Sequence, residues 1–213
     1  HYAWLAVRTD PNLPKHKGIG ILLVDMNSPG VTLDQYRTMS GWWHHGVVFD
    51  GVRVPQTMLV GEMNKGWYAI MAAIDFERAA NASPGHMIRL YDILLQYCRE
   101  TVKNGKALID DPRIRNTMAD LHSDVQSSRL VGYWVMSMQA KGQFPQHETS
   151  LMSGLMRETA RKISQVALNV MGPYAQLTPE SHYAPLDGEL EFAYRDDMYF
   201  SFAAGGFDIT RNI

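Results

Sequence analysis

Four consecutive residues, Asp75, Phe76, Glu77 and Arg78, bring two carboxylates, an aromatic ring and a guanidinium together near the start of the longest predicted helix. Small side chains follow them directly. Such a group could transfer protons. An apolar pocket would disfavour the charged form of Glu77, whereas the adjacent Arg78 would oppose that effect by stabilising the charged form. The same residues would also suit a solvated first helical turn, where the helix dipole favours acids. The local sequence leaves both interpretations open.

Composition restricts the class of protein that can carry this group. The chain has 213 residues, 46% of them hydrophobic and 20% charged, which is enough for one or two domains with a real core. A formal net charge of -2 argues against nucleic acid, because phosphate binding needs clustered Lys and Arg. The single cysteine, Cys98, excludes an intramolecular disulfide and predicts a reducing, cytoplasmic location. No apolar run reaches the length of a membrane span.

The first sixty residues have the pattern of antiparallel β structure. Short β-rich apolar runs alternate with turn sequences such as Ser28-Pro29-Gly30 and Asp50-Gly51. The predicted strands are 2–8, 18–25, 31–33, 46–49 and 52–55. The chain begins inside the first of these runs, at His1, so we expect it to be a piece of a longer protein.

Two adjacent histidines, His44 and His45, are of a residue type that binds metal ions. Successive residues of a strand point to opposite faces, however, and no further ligand stands at a suitable spacing. We therefore predict no metal site.

From residue 61 the apolar residues recur every three or four positions, which is typical of helices with one buried face. A helical stretch is interrupted at Pro84-Gly85, by a kink or by the meeting of two helices. Further helices are predicted over about 111–140, 148–171 and 188–200. Because these helices are long and their connections short, they predict an antiparallel bundle.

Phosphate-binding motifs are absent from the places where a nucleotide fold would need them. There is no glycine-rich loop between a strand and a helix and no Walker sequence. Gly205-Gly206 precede an apparent helix start near the C-terminus, which suits either an anion or cofactor at a helix N-terminus or a plain helix cap.

Several segments together resemble the acyl-CoA dehydrogenase family. They are residues 46–55 (GVVFDGVRVP), residues 60–67 (VGEMNKGW), Arg195-Asp196, and the sequence GGxxIxRN that ends at Asn212. The resemblance implies a multi-domain α and β protein, with part of an antiparallel β-barrel or sandwich domain over residues 1–60 and an antiparallel four-helix bundle over residues 61–213.

The resemblance also gives Glu77 a role. Members of the family remove the α-proton of an acyl-CoA thioester with a glutamate while the β-hydrogen leaves as hydride to FAD. The usual position of that base is Ala204 here. A minority of members carry it on the first bundle helix, in a segment similar to residues 75–78. The resemblance thus implies that Glu77 is the catalytic base and that Asp75, Phe76 and Arg78 line or support the acyl-CoA pocket.

The cofactor-binding residues that the resemblance implies are Gly205, Gly206, Phe207 and Asp208. Gly206 stands where the family usually has threonine, and Phe207 and Asp208 occupy positions that normally touch the flavin. An FAD-dependent dehydrogenase of this kind passes its electrons to an electron-transfer flavoprotein or a similar acceptor. Its substrate would belong to fatty acid or steroid degradation.

Three segments depart from the pattern of homotetrameric members, in which each subunit lends residues to its neighbour's FAD. Their counterparts are about 101–105, 111–112 and 169–173, and all three have lost the family's residues. An Asp near a pyrophosphate would repel it, and Pro173 removes a backbone donor. These changes predict a tetramer that includes a paralogous subunit, as in bacterial enzymes that act on steroid side-chain CoA thioesters.

Two alternatives follow from the same departures. A chain without a base at residue 204 could be a non-catalytic partner subunit of such a complex. A flavoprotein of the same fold that acts as an oxidase, or on a nitro or amine substrate, would need no base at Glu77.

Overall fold

The computed structural model describes residues 1–81, 84–143 and 145–200 of the chain. Contacts between residues divide the chain into two compact units, His1–Phe76 and Glu77–Ile213. The division lies inside the first helix, some fifteen residues after the domain boundary that the sequence predicts at residue 60. That boundary stays a prediction.

The first unit contains two separate antiparallel sheets. In one, β1 (Tyr2–Arg8) pairs along its whole length with β2 (Ile19–Asp25), and β5 (Leu59–Val60) pairs with the other edge of β2. Side chains of β1 alternate between exposed and half-buried, as expected when one face of a sheet is covered. The described strands close no barrel.

The second sheet is a hairpin of β3 (Val31–Arg37) and β4 (Trp43–Phe49), and both strands are longer than predicted. Pairing with a partner extends them over residues whose own sequence gives little β signal. The predicted strand over residues 52–55 is wrong, because these residues pair with no strand. Their alternating pattern lacks a neighbouring strand to supply hydrogen bonds.

Five α-helices follow in the described part of the chain. They are α1 (Gly66–Asn81), α2 (Pro84–Glu100), α3 (Pro112–Ala140), α4 (Gln146–Met171) and α5 (Glu189–Phe200). The last three begin and end within two residues of their predicted bounds. Of the helices described, α3 is the longest, so the prediction that residues 75–78 begin the longest helix is wrong: they lie in the second half of α1.

The core of the second unit is built from one face of each of four helices. Its apolar side chains recur every three or four residues along each helix, as the sequence predicts. Fully or almost fully buried members are Leu90, Leu94 and Cys98 from α2, Leu121 and Val125 from α3, Ile163 and Ala167 from α4, and Leu190 and Ala193 from α5. Burying each large aliphatic side chain contributes about 1.5–3 kcal/mol, which is what holds these helices as a bundle.

The long helices α3 and α4 extend beyond this common core. With 29 and 26 residues they are far longer than α2 and α5, which have 17 and 12. A second, smaller core joins the later half of α3 to the earlier half of α4 and contains Val135, Met152 and Met156. Between the two cores, the buried hydroxyls of Ser128 and Thr159 hydrogen bond at 3.0 Å.

A short hairpin between α2 and α3 was not predicted. Its strands are β6 (Val102–Lys103) and β7 (Lys106–Ala107), and its two turn residues are Asn104 and Gly105, with φ of 53° and 77°. Positive φ at both central residues defines the turn in which Asn-Gly is favoured. The Asn-Gly pair is therefore a sequence signal that could have revealed this hairpin.

Candidate active site

Helix α1 carries all four residues of the predicted proton-transfer group. Its first residue, Gly66, lets the helix start against β2, because a Cβ there would lie 2.8 Å from the carbonyl carbon of Gly20. Glu77 follows about three turns later, away from the first turn where the helix dipole would favour an acid. The interpretation of residues 75–78 as a first turn is therefore wrong.

Two of these side chains are described. Phe76 is 63% exposed and Glu77 is exposed as well. The exposed carboxylate of Glu77 is accessible to a substrate. The described part of this chain does not surround it with the apolar pocket that would favour its protonated form. The side chains of Asp75 and Arg78 lie outside the described residues, so the pocket roles of these residues stay predictions.

The predicted flavin contacts, Gly205, Gly206, Phe207 and Asp208, lie outside the described residues, as does Ala204. Helix α5 ends five residues before Gly205 and is held by charged contacts of its own. Arg195 donates two hydrogen bonds to the Glu191 carboxylate, at 2.6 and 2.8 Å, and both side chains are largely buried. The hydrogen bond to Glu191 raises the pKa of Arg195 further above its usual range, so this guanidinium stays charged.

Helices α2 and α5 are joined by two pairs of polar side chains. On the outside, the Arg89 guanidinium binds the Glu189 carboxylate. The second pair is His86, in the first turn of α2, and Asp197 on α5, with 3.8 Å between His86 Nε2 and Asp197 Oδ1. Sequence reasoning missed both residues, although Asp197 directly follows Arg195-Asp196 in the matched segment.

The three segments that depart from the homotetrameric pattern lie at one end of the bundle. The first follows the end of α2, the second spans the start of α3 and the third spans the end of α4, and in an antiparallel arrangement these ends coincide. At this end the Asp111 carboxylate caps α3 by accepting a 2.8 Å hydrogen bond from the backbone N–H of Arg113. The hydrogen bonds from Arg113 hold the pKa of Asp111 below its usual range, so this carboxylate is charged and is paired with the Arg113 guanidinium.

An open cleft of about 270 Å³ lies between α3 and α4, on the outside of the bundle. Its walls carry both signs of charge, and Lys162 Nζ lies 3.0 Å from Asp124 Oδ2 across it. The lining residues are Thr117, Asp120, Leu121, Asp124, Arg161, Lys162, Gln165 and Val166. None of them belongs to the predicted site.

A metal site and a membrane-spanning helix are both absent from the described parts of the chain. No group of three or more His, Cys, Asp or Glu side chains stands where it could hold a metal ion. None of the described helices is both long and apolar enough to cross a membrane.

The fold and its elements define a helical bundle domain that follows antiparallel sheets, and comparison with known proteins identifies it. The family model for the acyl-CoA dehydrogenase C-terminal domain matches residues 64–213. The chain therefore belongs to the acyl-CoA dehydrogenase family, and the resemblance inferred from the sequence is confirmed.

Among curated proteins, the chain is similar to the acyl-CoA dehydrogenases FadE26 and FadE29 of Mycobacterium tuberculosis, with 28% and 27% identity. Each match covers 100% of this chain, and 55% and 54% of the two relatives. The chain thus spans about half the length of the curated relatives that it matches.

Solved structures with the same fold include two whose names each give two components. The ChsE4–ChsE5 complex from Mycobacterium tuberculosis matches with a TM-score of 0.90 and 29% identity, over 99% of this chain and 55% of the solved chain. The steroid acyl-CoA dehydrogenase Tcur3481–Tcur3483 matches with a TM-score of 0.90 and 29% identity, over 99% and 54%. The predicted fold class is confirmed by these matches.

Proposed function

We propose that the complete protein is an FAD-dependent acyl-CoA dehydrogenase whose catalytic base is Glu77. The observation that carries the proposal is an exposed carboxylate on α1, the helix that precedes the bundle helices in the sequence, in a family member that has alanine at residue 204. Glu77 would take the α-proton of the thioester, which needs only reach and a suitable protonation state. Bound FAD, contacted by residues 205–208, would accept the β-hydrogen as hydride. Phe76 and its neighbours would line the acyl pocket.

We further propose that this subunit works in a hetero-oligomer with a paralogue, as a tetramer that passes electrons to an electron-transfer flavoprotein or a similar acceptor. The capped N-terminus of α3 supports this assembly. A helix N-terminus attracts phosphate groups, but here the Asp111 carboxylate occupies it and the charge of Arg113 is already paired. An end of this kind is poorly suited to complete a neighbour's FAD site. The names of ChsE4–ChsE5 and Tcur3481–Tcur3483 lend support, and the latter suggests a steroid side-chain acyl-CoA as substrate.

The visible spectrum of the full-length protein, purified after expression with its paralogue, tests both proposals. Addition of acyl-CoA thioesters, including steroid side-chain thioesters, should bleach the flavin band for one class of substrate. The protein expressed alone should contain little FAD. A yellow homotetramer with one FAD per chain would contradict the hetero-oligomer, and a flavin that no thioester bleaches would contradict the dehydrogenase.

The second candidate function is that of a non-catalytic partner subunit in the same kind of complex. Alanine at residue 204, the family's usual position for the base, favours it. A complex in which the Glu77→Gln variant turns over like the unchanged protein would support this function. An oxidase of the same fold would instead bind flavin and reduce oxygen. It would not use Glu77 to remove a proton from a thioester.

A further inference from the structure

One buried carboxylate is used by neither the proposed reaction nor the bundle core. Asp197 is 6% exposed, and its Oδ2 atom has no hydrogen-bond partner among the described residues. A buried acceptor without a donor is costly, more so when it is charged, and native proteins satisfy nearly all such groups with protein, water or ligand. Water, a ligand or another part of the protein must therefore supply the donor for Asp197.

Among the described residues, the only charged or titratable group that pairs with Asp197 is His86. The distance between the two groups is longer than a direct hydrogen bond. Nε2 of His86 lies 3.8 Å from Oδ1, which exceeds the length of a direct hydrogen bond. A separation of this size is often bridged by one oxygen atom that bonds to both groups. The His86 side chain is 59% exposed while that of Asp197 is 5% exposed, so the pair is open to solvent on the side of His86.

The chemistry of the two groups selects the ligand. A carboxylate only accepts hydrogen bonds, and the imidazole donates one from Nε2 when that nitrogen carries the proton. A hydroxyl can satisfy both groups, because it accepts from His86 Nε2 and donates to the Asp197 carboxylate, whose Oδ2 atom has no donor among the described residues. An anionic group would be repelled by Asp197, and an ammonium could not accept from His86 when Nε2 carries the proton.

We propose that Asp197 and His86 form a recognition site for a hydroxyl group on the acyl part of the substrate, beyond the β-carbon. The proposal rests on the proposed function, since His86 follows Glu77 by nine residues and Asp197 precedes Gly205 by eight. Both groups thus stand close in sequence to the residues assigned to proton removal and to the flavin. Their role is specificity: they discriminate hydroxylated acyl groups from their deoxy forms and take no part in bond breaking.

Binding of matched substrates by the full-length complex tests the site. Straight-chain and steroid side-chain CoA thioesters would each be prepared with and without a hydroxyl beyond the β-carbon, and calorimetry would give the Kd of each form. The unchanged protein should bind at least one hydroxylated thioester about tenfold to a hundredfold more tightly than its deoxy form, as expected for a hydrogen bond to a buried charge. Asp197→Asn and His86→Ala should reduce that ratio to less than about threefold and leave the affinity for the deoxy form nearly unchanged.

Controls separate this site from a structural role and from the proposed reaction. His147→Ala changes another exposed histidine, on α4, and should keep the full preference. Circular dichroism would show whether Asp197→Asn folds; if it does not, the exposed His86→Ala variant decides the result. Equal affinities within every pair, or a preference that survives in the folded variants, would overturn the recognition site. Flavin bleaching is read separately, so a protein that binds with the hydroxyl preference and bleaches with no thioester contradicts the dehydrogenase alone.

Discussion

The Asp111 carboxylate both caps helix α3 and binds the side chain of the second residue inside it, Arg113. Asp111 Oδ1 accepts from the backbone N–H at 2.8 Å, and Oδ2 accepts from the guanidinium at 3.0 Å. Pro112 between them suits the first helical position, where no backbone N–H is needed. One side chain thus fixes where the longest described helix begins and pairs with the guanidinium in its first turn.

This cap makes stability depend on pH. Hydrogen bonds from Arg113 lower the pKa of Asp111 in the folded state, so the contribution is complete above the pKa of the unfolded chain, about 3.9, and is lost as the pH falls through the lower folded value. Asp111→Ala should lower the Tm at neutral pH by a few degrees. Asp111→Asn should keep most of the cap, since Asn caps as well as Asp, but should lose the acid dependence of this contribution.

Thermal unfolding followed by circular dichroism between pH 2 and 7 measures both effects. Equal melting temperatures for the Ala and Asn variants at neutral pH would show that the side chain does not act as a cap.

Replacing Glu77 by Gln tests the base directly. We expect α-proton exchange on a bound acyl-CoA to fall by about two to four orders of magnitude, because one general base contributes roughly that much to rate. Flavin content should stay the same. Glu100→Gln changes another exposed glutamate, at the end of α2, and serves as the control.

Exchange is followed by NMR as loss of the α-proton signal in deuterated water. A Glu77→Gln variant that exchanges as fast as the Glu100→Gln control would remove Glu77 from the mechanism.

Two glycines with the same backbone conformation differ in their surroundings. Gly188 and Gly142 have φ of 73° and 74°, but a Cβ on Gly188 would lie 2.6 Å from the backbone nitrogen of Pro179, whereas nothing lies within 4 Å of one on Gly142. Gly142→Ala should cost about 1 kcal/mol for the left-handed conformation. Gly188→Ala should cost clearly more, because the rigid backbone at Pro179 must move.

Urea unfolding of both variants gives the comparison, and the difference between them isolates the contact with Pro179. Equal losses of stability would mean that the backbone around Pro179 can move to accept the Cβ without a loss of folding free energy.

The hydroxyl pair between α3 and α4 should respond unequally to removal of either member. Thr159 Oγ1 also bonds to the carbonyl of Leu155 at 2.9 Å, so Ser128→Ala leaves it satisfied. Thr159→Val removes the one hydrogen-bond partner recorded for the fully buried Ser128 hydroxyl in the described structure, which costs about 1–3 kcal/mol. We expect the valine variant to be the less stable of the two.

A double-mutant cycle in urea measures this pair. A larger loss for Ser128→Ala than for Thr159→Val would contradict the described hydrogen bonding.

The helices were predictable because their signals are local. The start of α3 follows from Asp111-Pro112, the end of α4 from Gly172, and the buried faces from the spacing of apolar residues. Strands depend instead on a partner that the local pattern does not reveal. Residues 52–55 alternate as a strand should and yet pair with none, while β4 gains three residues through pairing with β3.

The candidate site was predictable only where the family resemblance reached it. Glu77 was identified by its place in a matched segment, and the exposure of its side chain agrees with access for a substrate. Asp197 and His86 lie 111 residues apart in the sequence, and no periodicity connects them. Such a pair becomes visible only when folding brings two helices together.

The later half of α3 has a consequence for handling the protein. Residues 130–140 contain no charged side chain, and Leu130, Tyr133, Trp134 and Met136 are each about half exposed or more. Kosmotropic salts strengthen association of such surfaces. During purification, this chain on its own should therefore be retained on hydrophobic-interaction resins and should precipitate early in an ammonium sulfate fractionation.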